Sequence, residues 1–140
     1  YHDDVLILDD EVSPTQLTFA QVKTREKHWT ASTLSNSTKK NPISIIGKLF
    51  IHQKNFAEYS PKLLFVTNAS FNLCEENGGK SCFGANEVKV EYQTSFKKAI
   101  KDQVKLDDSS IDLSVMRFVQ SSLSLGKVRI SRSFLPKLTR

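Results

Sequence analysis

The chain begins with two apolar segments whose residue types favour β-strands. Residues 3–8 end in Val-Leu-Ile-Leu, and residues 17–23 read Leu-Thr-Phe-Ala-Gln-Val-Lys. A polar stretch that contains Pro14 separates them, as expected for adjacent antiparallel strands joined by a turn. The pattern therefore predicts a β-hairpin at the start of the fold.

The second strand of this hairpin would divide its side chains between two faces. Successive residues of a strand point to opposite sides of a sheet. Gln21 and Lys23 therefore lie on the same face as Leu17 and Phe19. A polar pair at the end of an otherwise apolar strand face marks this face as a candidate site.

The register of the hairpin decides which acidic residue meets that face. If Leu8 pairs with Leu17, Asp4 lies opposite Gln21, where paired Cβ atoms are roughly 5 Å apart. A slip by one residue would bring Asp3 there instead, because a slip turns every side chain to the other face. We expect Asp4 and keep Asp3 as the alternative.

These residue types together have the chemistry of a metal-dependent nuclease. Phosphodiester hydrolysis needs a divalent cation to polarise the phosphoryl oxygen, and Mg²⁺ prefers oxygen ligands. Asp4 would be the anionic ligand, with the Gln21 amide oxygen and the Val22 carbonyl as neutral ligands. Lys23 would orient or deprotonate the attacking water, or stabilise charge on the phosphate. We predict Asp4, Gln21 and Lys23 as catalytic residues, with Mg²⁺ or Mn²⁺ as the cofactor.

The Gln-Val-Lys tripeptide by itself carries little information, because it occurs again at residues 103–105. Around that second copy Phe96, Ile100 and Val104 recur every four residues, which predicts an apolar helix face. We interpret the second copy as solvated helix surface. For the first copy, spacing alone is explained equally well by an ordinary hairpin with charged ends.

A resemblance to a known family adds to this pattern. An Asp at the head of one strand and Gln-x-Lys at the end of the next resemble the D-QxK variant of the PD-(D/E)xK, restriction-endonuclease-like superfamily. Residues 19–24, Trp29 with Thr30, and residues 64–69 look like the nuclease domain of the SAVED-linked effector endonucleases of CBASS anti-phage defence. The resemblance spans residues 3–71.

This resemblance implies an α/β fold with a restriction-endonuclease-like mixed central sheet flanked by helices. It also implies cleavage of double-stranded DNA with a divalent metal, and it places the family's metal-binding Asp at Asp4, its Gln at Gln21 and its Lys at Lys23. Activation by a cyclic oligonucleotide bound to a C-terminal sensor domain follows from the same resemblance. As a further partner we expect a second copy of the chain, in a homo-oligomer formed on activation.

The same comparison sets an expectation for domain organisation. Members of the superfamily usually have a helix before the first of these strands, and the effector endonucleases carry a sensor domain. We expect residues 1–140 to form a single nuclease domain that is a fragment lacking its first helix and its C-terminal sensor domain.

Composition and charge agree with this picture without deciding it. A chain of 140 residues with 39% hydrophobic and 25% charged residues suits one globular domain. The net charge of +5 permits a polyanionic partner. Arg25 and Lys27 directly follow the motif, and we predict that they contact DNA phosphates. No apolar run has transmembrane length, so we expect no membrane partner and a bacterial cytoplasmic location.

The two cysteines and the single tryptophan are expected to serve structure. Cys74 and Cys82 lack the paired short spacing of a zinc site, and we expect reduced thiols. Trp29 is expected to be a core or loop anchor.

The remaining pattern predicts one β-α-β unit followed by a further helix and strand. A connection over residues 29–40 is followed by a helix that Pro42 opens, with Ile45, Ile46, Leu49 and Phe50 on one face. A buried strand at 63–66 and a turn at 77–79 come next. Residues 83–87 lead into a helix that ends near Leu106, and a strand at 113–119 and a helix at 128–138 complete the prediction.

A second function class stays open at this point. A non-catalytic module of nuclease fold that binds DNA or protein would show the same pattern. Removing the metal distinguishes the two, because hydrolysis requires the metal and simple binding does not.

Overall fold

The computed structural model describes residues 2–9, 12–73 and 80–121. Within these ranges the chain forms seven strands and three α-helices. They are β1 (His2–Leu8), β2 (Leu17–Lys23), β3 (Trp29–Thr30), α1 (Ala31–Ser35), α2 (Ile45–Asn55), β4 (Lys62–Thr67), β5 (Phe71–Asn72), β6 (Cys82–Gly84), α3 (Val90–Val104) and β7 (Met116–Gln120).

Five of the strands form one mixed sheet in the order β1-β2-β4-β7-β6. The central strands β2, β4 and β7 are parallel, and the outer strands β1 and β6 are antiparallel to their neighbours. β3 and β5 form a separate parallel pair. The mixed sheet with its helices confirms the predicted α/β fold, which is consistent with a restriction-endonuclease-like architecture.

The two faces of the sheet carry different cores. Leu17 and Phe19 of β2 belong to the larger core, which also holds the buried apolar residues of all three helices. Ala20 and Val22 belong to a smaller core on the opposite face. The alternation predicted for β2 is therefore confirmed, and it places Gln21 and Lys23 on the face that the helices cover.

The turn between β1 and β2 is closed by one carboxylate. Asp9 accepts hydrogen bonds from the Thr15 N–H (2.9 Å) and the Gln16 N–H (3.0 Å), and also from the Thr15 hydroxyl. These bonds, that of the Thr15 hydroxyl foremost, lower the pKa of Asp9 to about 2. The turn thereby fixes the register in which Leu8 pairs with Leu17.

Helix α2 begins later than the sequence predicted. Ser44 caps its N-terminus, since its hydroxyl accepts a hydrogen bond from the Gly47 N–H at 3.1 Å. The helix therefore starts at Ile45, and Pro42 lies before the cap. Its predicted apolar face is confirmed by burial of Ile46, Leu49 and Phe50.

Helix α3 confirms the predicted apolar face but corrects the interpretation of residues 103–105. Gln103 is partly buried, and its side chain accepts a hydrogen bond from the Ser44 N–H (2.8 Å) and donates one to the Ser35 carbonyl (3.0 Å). Val104 is buried. Only Lys105 is solvated surface as predicted, so the second Gln-Val-Lys copy fastens α1 and α2 to α3.

Three boundaries differ from the sequence-based predictions because short elements replace expected loops. The connection over residues 29–40 contains β3 and α1. Phe83 lies in β6 instead of leading directly into a helix. β7 begins at Met116, since residues 113–115 form a 3₁₀ turn.

Some predictions concern residues outside the described ranges. These are the turn at 77–79, the helix at 128–138 and the state of Cys74. Cys82 is a free, exposed thiol. In the part of the chain that the structure describes, no helix combines the length and the apolar content needed to cross a membrane.

Candidate active site

The sheet register brings the predicted site residues together. Asp4 pairs with Gln21, as the sequence predicted, and Asp3 pairs with Val22. Lys23 lies two residues after Gln21 and on the same face of β2. In the sheet it is next to Thr67 of β4. Asp4, Gln21 and Lys23 therefore form one row at the end of β2, on the helix-covered face of the sheet.

Gln21 has an unusual environment for an amide. Its side chain is 5% exposed, and its Oε1 atom is buried without a hydrogen-bond partner among the described residues. An unsatisfied buried polar group costs about 1–3 kcal/mol of stability. A buried oxygen without a partner in the protein is suited to bind a group from outside the protein, such as a metal ion.

The oxygen atoms here fit a hard divalent cation. The exposed carboxylate of Asp4 lies across the strand pair from the Gln21 amide. Among the described residues, no group of three or more His, Cys, Asp and Glu side chains is arranged to hold a metal. Mg²⁺ often keeps several waters and takes only one or two protein carboxylates plus substrate phosphates. The donor set therefore fits Mg²⁺, and the Val22 carbonyl as a third ligand stays a prediction.

Lys23 is partly buried in a site of mixed charge. Burial is the main cause that lowers its pKa, and the nearby ammonium of Lys48 lowers it further, while the Asp4 carboxylate raises it. The charge of Lys23 is therefore influenced by one further cation and by one anion.

Helix α2 adds two residues that the sequence analysis missed. The imidazole of His52 stacks on Phe19 with ring centroids 4.2 Å apart and planes 2° from parallel. Burial lowers the pKa of His52, and Asp4 partly opposes this shift. Burial thus favours the neutral form of this imidazole. The i, i+4 spacing of Lys48 and His52 was the available signal, because it places both on one face of the predicted helix.

Trp29 anchors the end of the neighbouring strand. Its indole Nε1–H donates to the Thr67 hydroxyl at 2.8 Å, and its side chain is buried. The same hydroxyl accepts from the Ala69 N–H at 3.3 Å. The predicted role of Trp29 as an anchor is confirmed, and its partner Thr67 lies directly beside Lys23 in the sheet.

The loop after β2 is organised by Arg25. Its guanidinium donates to the carbonyls of Lys27 (2.9 Å) and His28 (3.3 Å) and stacks over the Trp29 ring at 4.2 Å. Its backbone N–H donates to Asn68 Oδ1 at 2.9 Å. Arg25 thus shapes the loop that presents the exposed side chain of Lys27.

Comparison with known families identifies the domain. The family model described as "Cap4, dsDNA endonuclease domain" matches residues 1–133. The chain belongs to this family. The match extends well beyond residues 3–71 and confirms the resemblance to a CBASS effector nuclease domain. No match was found among curated proteins or among solved structures.

Membership of the Cap4 family establishes the class of activity. The chain is a DNA endonuclease domain, and its substrate is DNA. The matched residues include the strands that carry Asp4, Gln21 and Lys23.

Proposed function

We propose that this domain hydrolyses phosphodiester bonds of double-stranded DNA with Mg²⁺, or Mn²⁺ in its place, held by Asp4 and Gln21. The observation that carries this proposal is the buried, unpartnered Oε1 of Gln21 paired across the strands with the exposed Asp4 carboxylate. Asp4 contributes the negative charge of the site and Gln21 a neutral oxygen, with the Val22 carbonyl as a further neutral ligand.

Each side chain has a separate task. When bound, the cation supplies Lewis-acid polarisation of the phosphodiester. Lys23 places positive charge beside the reacting phosphate, where negative charge increases in the transition state. Because its ammonium is partly buried, this charge is less screened by water than that of an exposed lysine.

DNA contacts outside the reacting phosphate come from the loop after β2. Lys27 is exposed and can contact a backbone phosphate without reading sequence. Arg25 fixes the loop through its bonds to main-chain carbonyls and adds positive charge near the same phosphates. Such contacts are typical of an endonuclease that binds the phosphate backbone of a duplex.

Control of the activity follows the CBASS resemblance. We propose that a cyclic oligonucleotide bound to a separate sensor domain activates cleavage, and that activation is accompanied by homo-oligomerisation. This requirement would keep the nuclease inactive until the cyclic oligonucleotide is bound.

The test uses the full-length protein with supercoiled plasmid, Mg²⁺ and a set of candidate cyclic oligonucleotides. We expect ligand-stimulated conversion to linear DNA and fragments, complete loss of cleavage with EDTA, and recovery on adding excess Mg²⁺ or Mn²⁺. Agarose gels quantify the products. DNA binding with intact plasmid under every metal and ligand condition would contradict the proposal and favour a binding module.

A further inference from the structure

The direction of helix α2 fixes which of its residues lie above the site. After β2 the chain passes through β3 and α1, and α2 is the last α-helix before it returns to the start of β4, which is parallel to β2. The helix must therefore run antiparallel to β2. Residues closer to the N-terminus of α2 therefore lie closer to the carboxyl end of β2.

One contact sets the register between this helix and the strand. His52 stacks on Phe19. Four residues before His52, a helix rise of about 6 Å, is Lys48. Two residues after Phe19, a strand rise of about 7 Å, is Gln21. Lys48 is therefore at the level of Gln21, and its electrostatic effect on Lys23 agrees with that placement.

Helix α2 is also firmly held in this position. Gln103 of α3 bonds the N-cap residue Ser44 at one end, and at the other Lys54 donates to the Val104 carbonyl at 2.9 Å. A lysine carried on such an element has a defined place relative to the sheet.

The charges at this place are not balanced by the protein. Lys48 is exposed and forms no ion pair with any described residue. Lys23 lies two residues beyond Gln21 on the same face of β2, and the carboxylate opposite Gln21 is that of Asp4. Two lysines carried at the same level on neighbouring elements favour the binding of an anion beside them.

We propose that Lys48 binds a backbone phosphate of the DNA at the active site, so that the cleaved strand lies at the carboxyl end of β2, beside the N-terminal half of α2, with Lys23 on one side and Lys48 on the other. This inference rests on the proposed nuclease function. His52, fixed on Phe19, keeps α2 at the correct height above the sheet.

The experiment measures the salt dependence of duplex binding in the full-length protein carrying Asp4→Asn, which prevents cleavage during the measurement. Each lysine that contacts a phosphate contributes about 0.9 to the slope of log K against log salt concentration. We expect Lys48→Gln to reduce the slope by about 0.9 and to weaken binding equally for unrelated sequences. Lys48→Arg should retain the slope.

Lys97→Gln is the matched control, because Lys97 is an exposed lysine on α3 and its loss changes net charge equally. It should leave the slope unchanged. A slope for Lys48→Gln equal to that of Lys97→Gln would overturn this inference. If the protein without substitutions neither binds nor cleaves duplex DNA with Mg²⁺ and the candidate cyclic oligonucleotides, the proposed function itself has failed.

Discussion

Lys23→Met is expected to lower the cleavage rate at least about 100-fold without lowering the thermal stability of the domain. The reaction loses the positive charge beside the phosphate. The fold loses an ammonium group that burial and Lys48 both disfavour, since both lower the pKa of Lys23. Plasmid cleavage and thermal unfolding of the same preparation check the two effects together.

The pH dependence of stability follows from the sign of this shift. Unfolding returns Lys23 to its ordinary, higher pKa, so the unfolded chain binds the proton more tightly than the folded one. The protonated lysine therefore destabilises the fold at neutral pH, and this penalty disappears as the pH rises toward the ordinary pKa of lysine. The stability advantage of Lys23→Met should be largest at neutral pH and should shrink as the pH rises toward the ordinary pKa of lysine.

Lys97→Met is the matched control for this experiment, since it removes an exposed lysine from α3. It should retain cleavage and should not raise the thermal stability of the domain. Cleavage by Lys23→Met at the rate of the unsubstituted protein would rule out Lys23 as the catalytic lysine.

Gln21→Met is expected to weaken Mg²⁺ binding at least about tenfold and to raise the free energy of unfolding by about 1 kcal/mol. Methionine fills a similar volume without the oxygen atom that lies buried and unpartnered in Gln21. Cleavage should then require higher Mg²⁺ concentrations. Metal titration of the cleavage rate and denaturant unfolding without metal measure the two effects.

Gln103, in the second Gln-Val-Lys copy, provides a contrasting substitution to Gln21→Met. Both polar atoms of the Gln103 side chain are hydrogen-bonded, so Gln103→Met should lower the free energy of unfolding by about 1–3 kcal/mol and leave the Mg²⁺ requirement unchanged. An unchanged Mg²⁺ requirement in Gln21→Met would show that its amide is not a metal ligand.

The hairpin and its register were predictable because both depend on local rules. In two strands joined by a turn, successive side chains point to opposite faces, and pairing Leu8 with Leu17 fixes the partner of Asp4. The structure has this register. The row formed by Asp4, Gln21 and Lys23 could therefore be predicted before any tertiary contact was known.

The contribution of helix α2 could not be predicted in the same way. Its periodicity identifies which face packs on the sheet, but not how far along the strands the helix sits. That height depends on contacts between distant residues, such as the stack of His52 on Phe19. The positions of Lys48 and His52 relative to Asp4 follow from tertiary packing.

Short elements escaped the sequence analysis for a different reason. Helix α1 has five residues, too few to show a helical period. A local signal was nevertheless present, since Thr30 and Thr33 form a reciprocal capping box. Capping residues identify short helices better than hydrophobic periodicity does.

The central claim, that the hairpin register selects the metal-binding carboxylate, is tested most directly by comparing Asp3→Asn with Asp4→Asn. The two substitutions remove the same charge from adjacent residues, and only Asp4 is paired with Gln21. The measurement is the Mg²⁺-dependent cleavage rate of the full-length protein. We predict a loss of at least about 100-fold for Asp4→Asn and a nearly unchanged rate for Asp3→Asn. Loss of cleavage in Asp3→Asn with activity retained in Asp4→Asn would contradict the account.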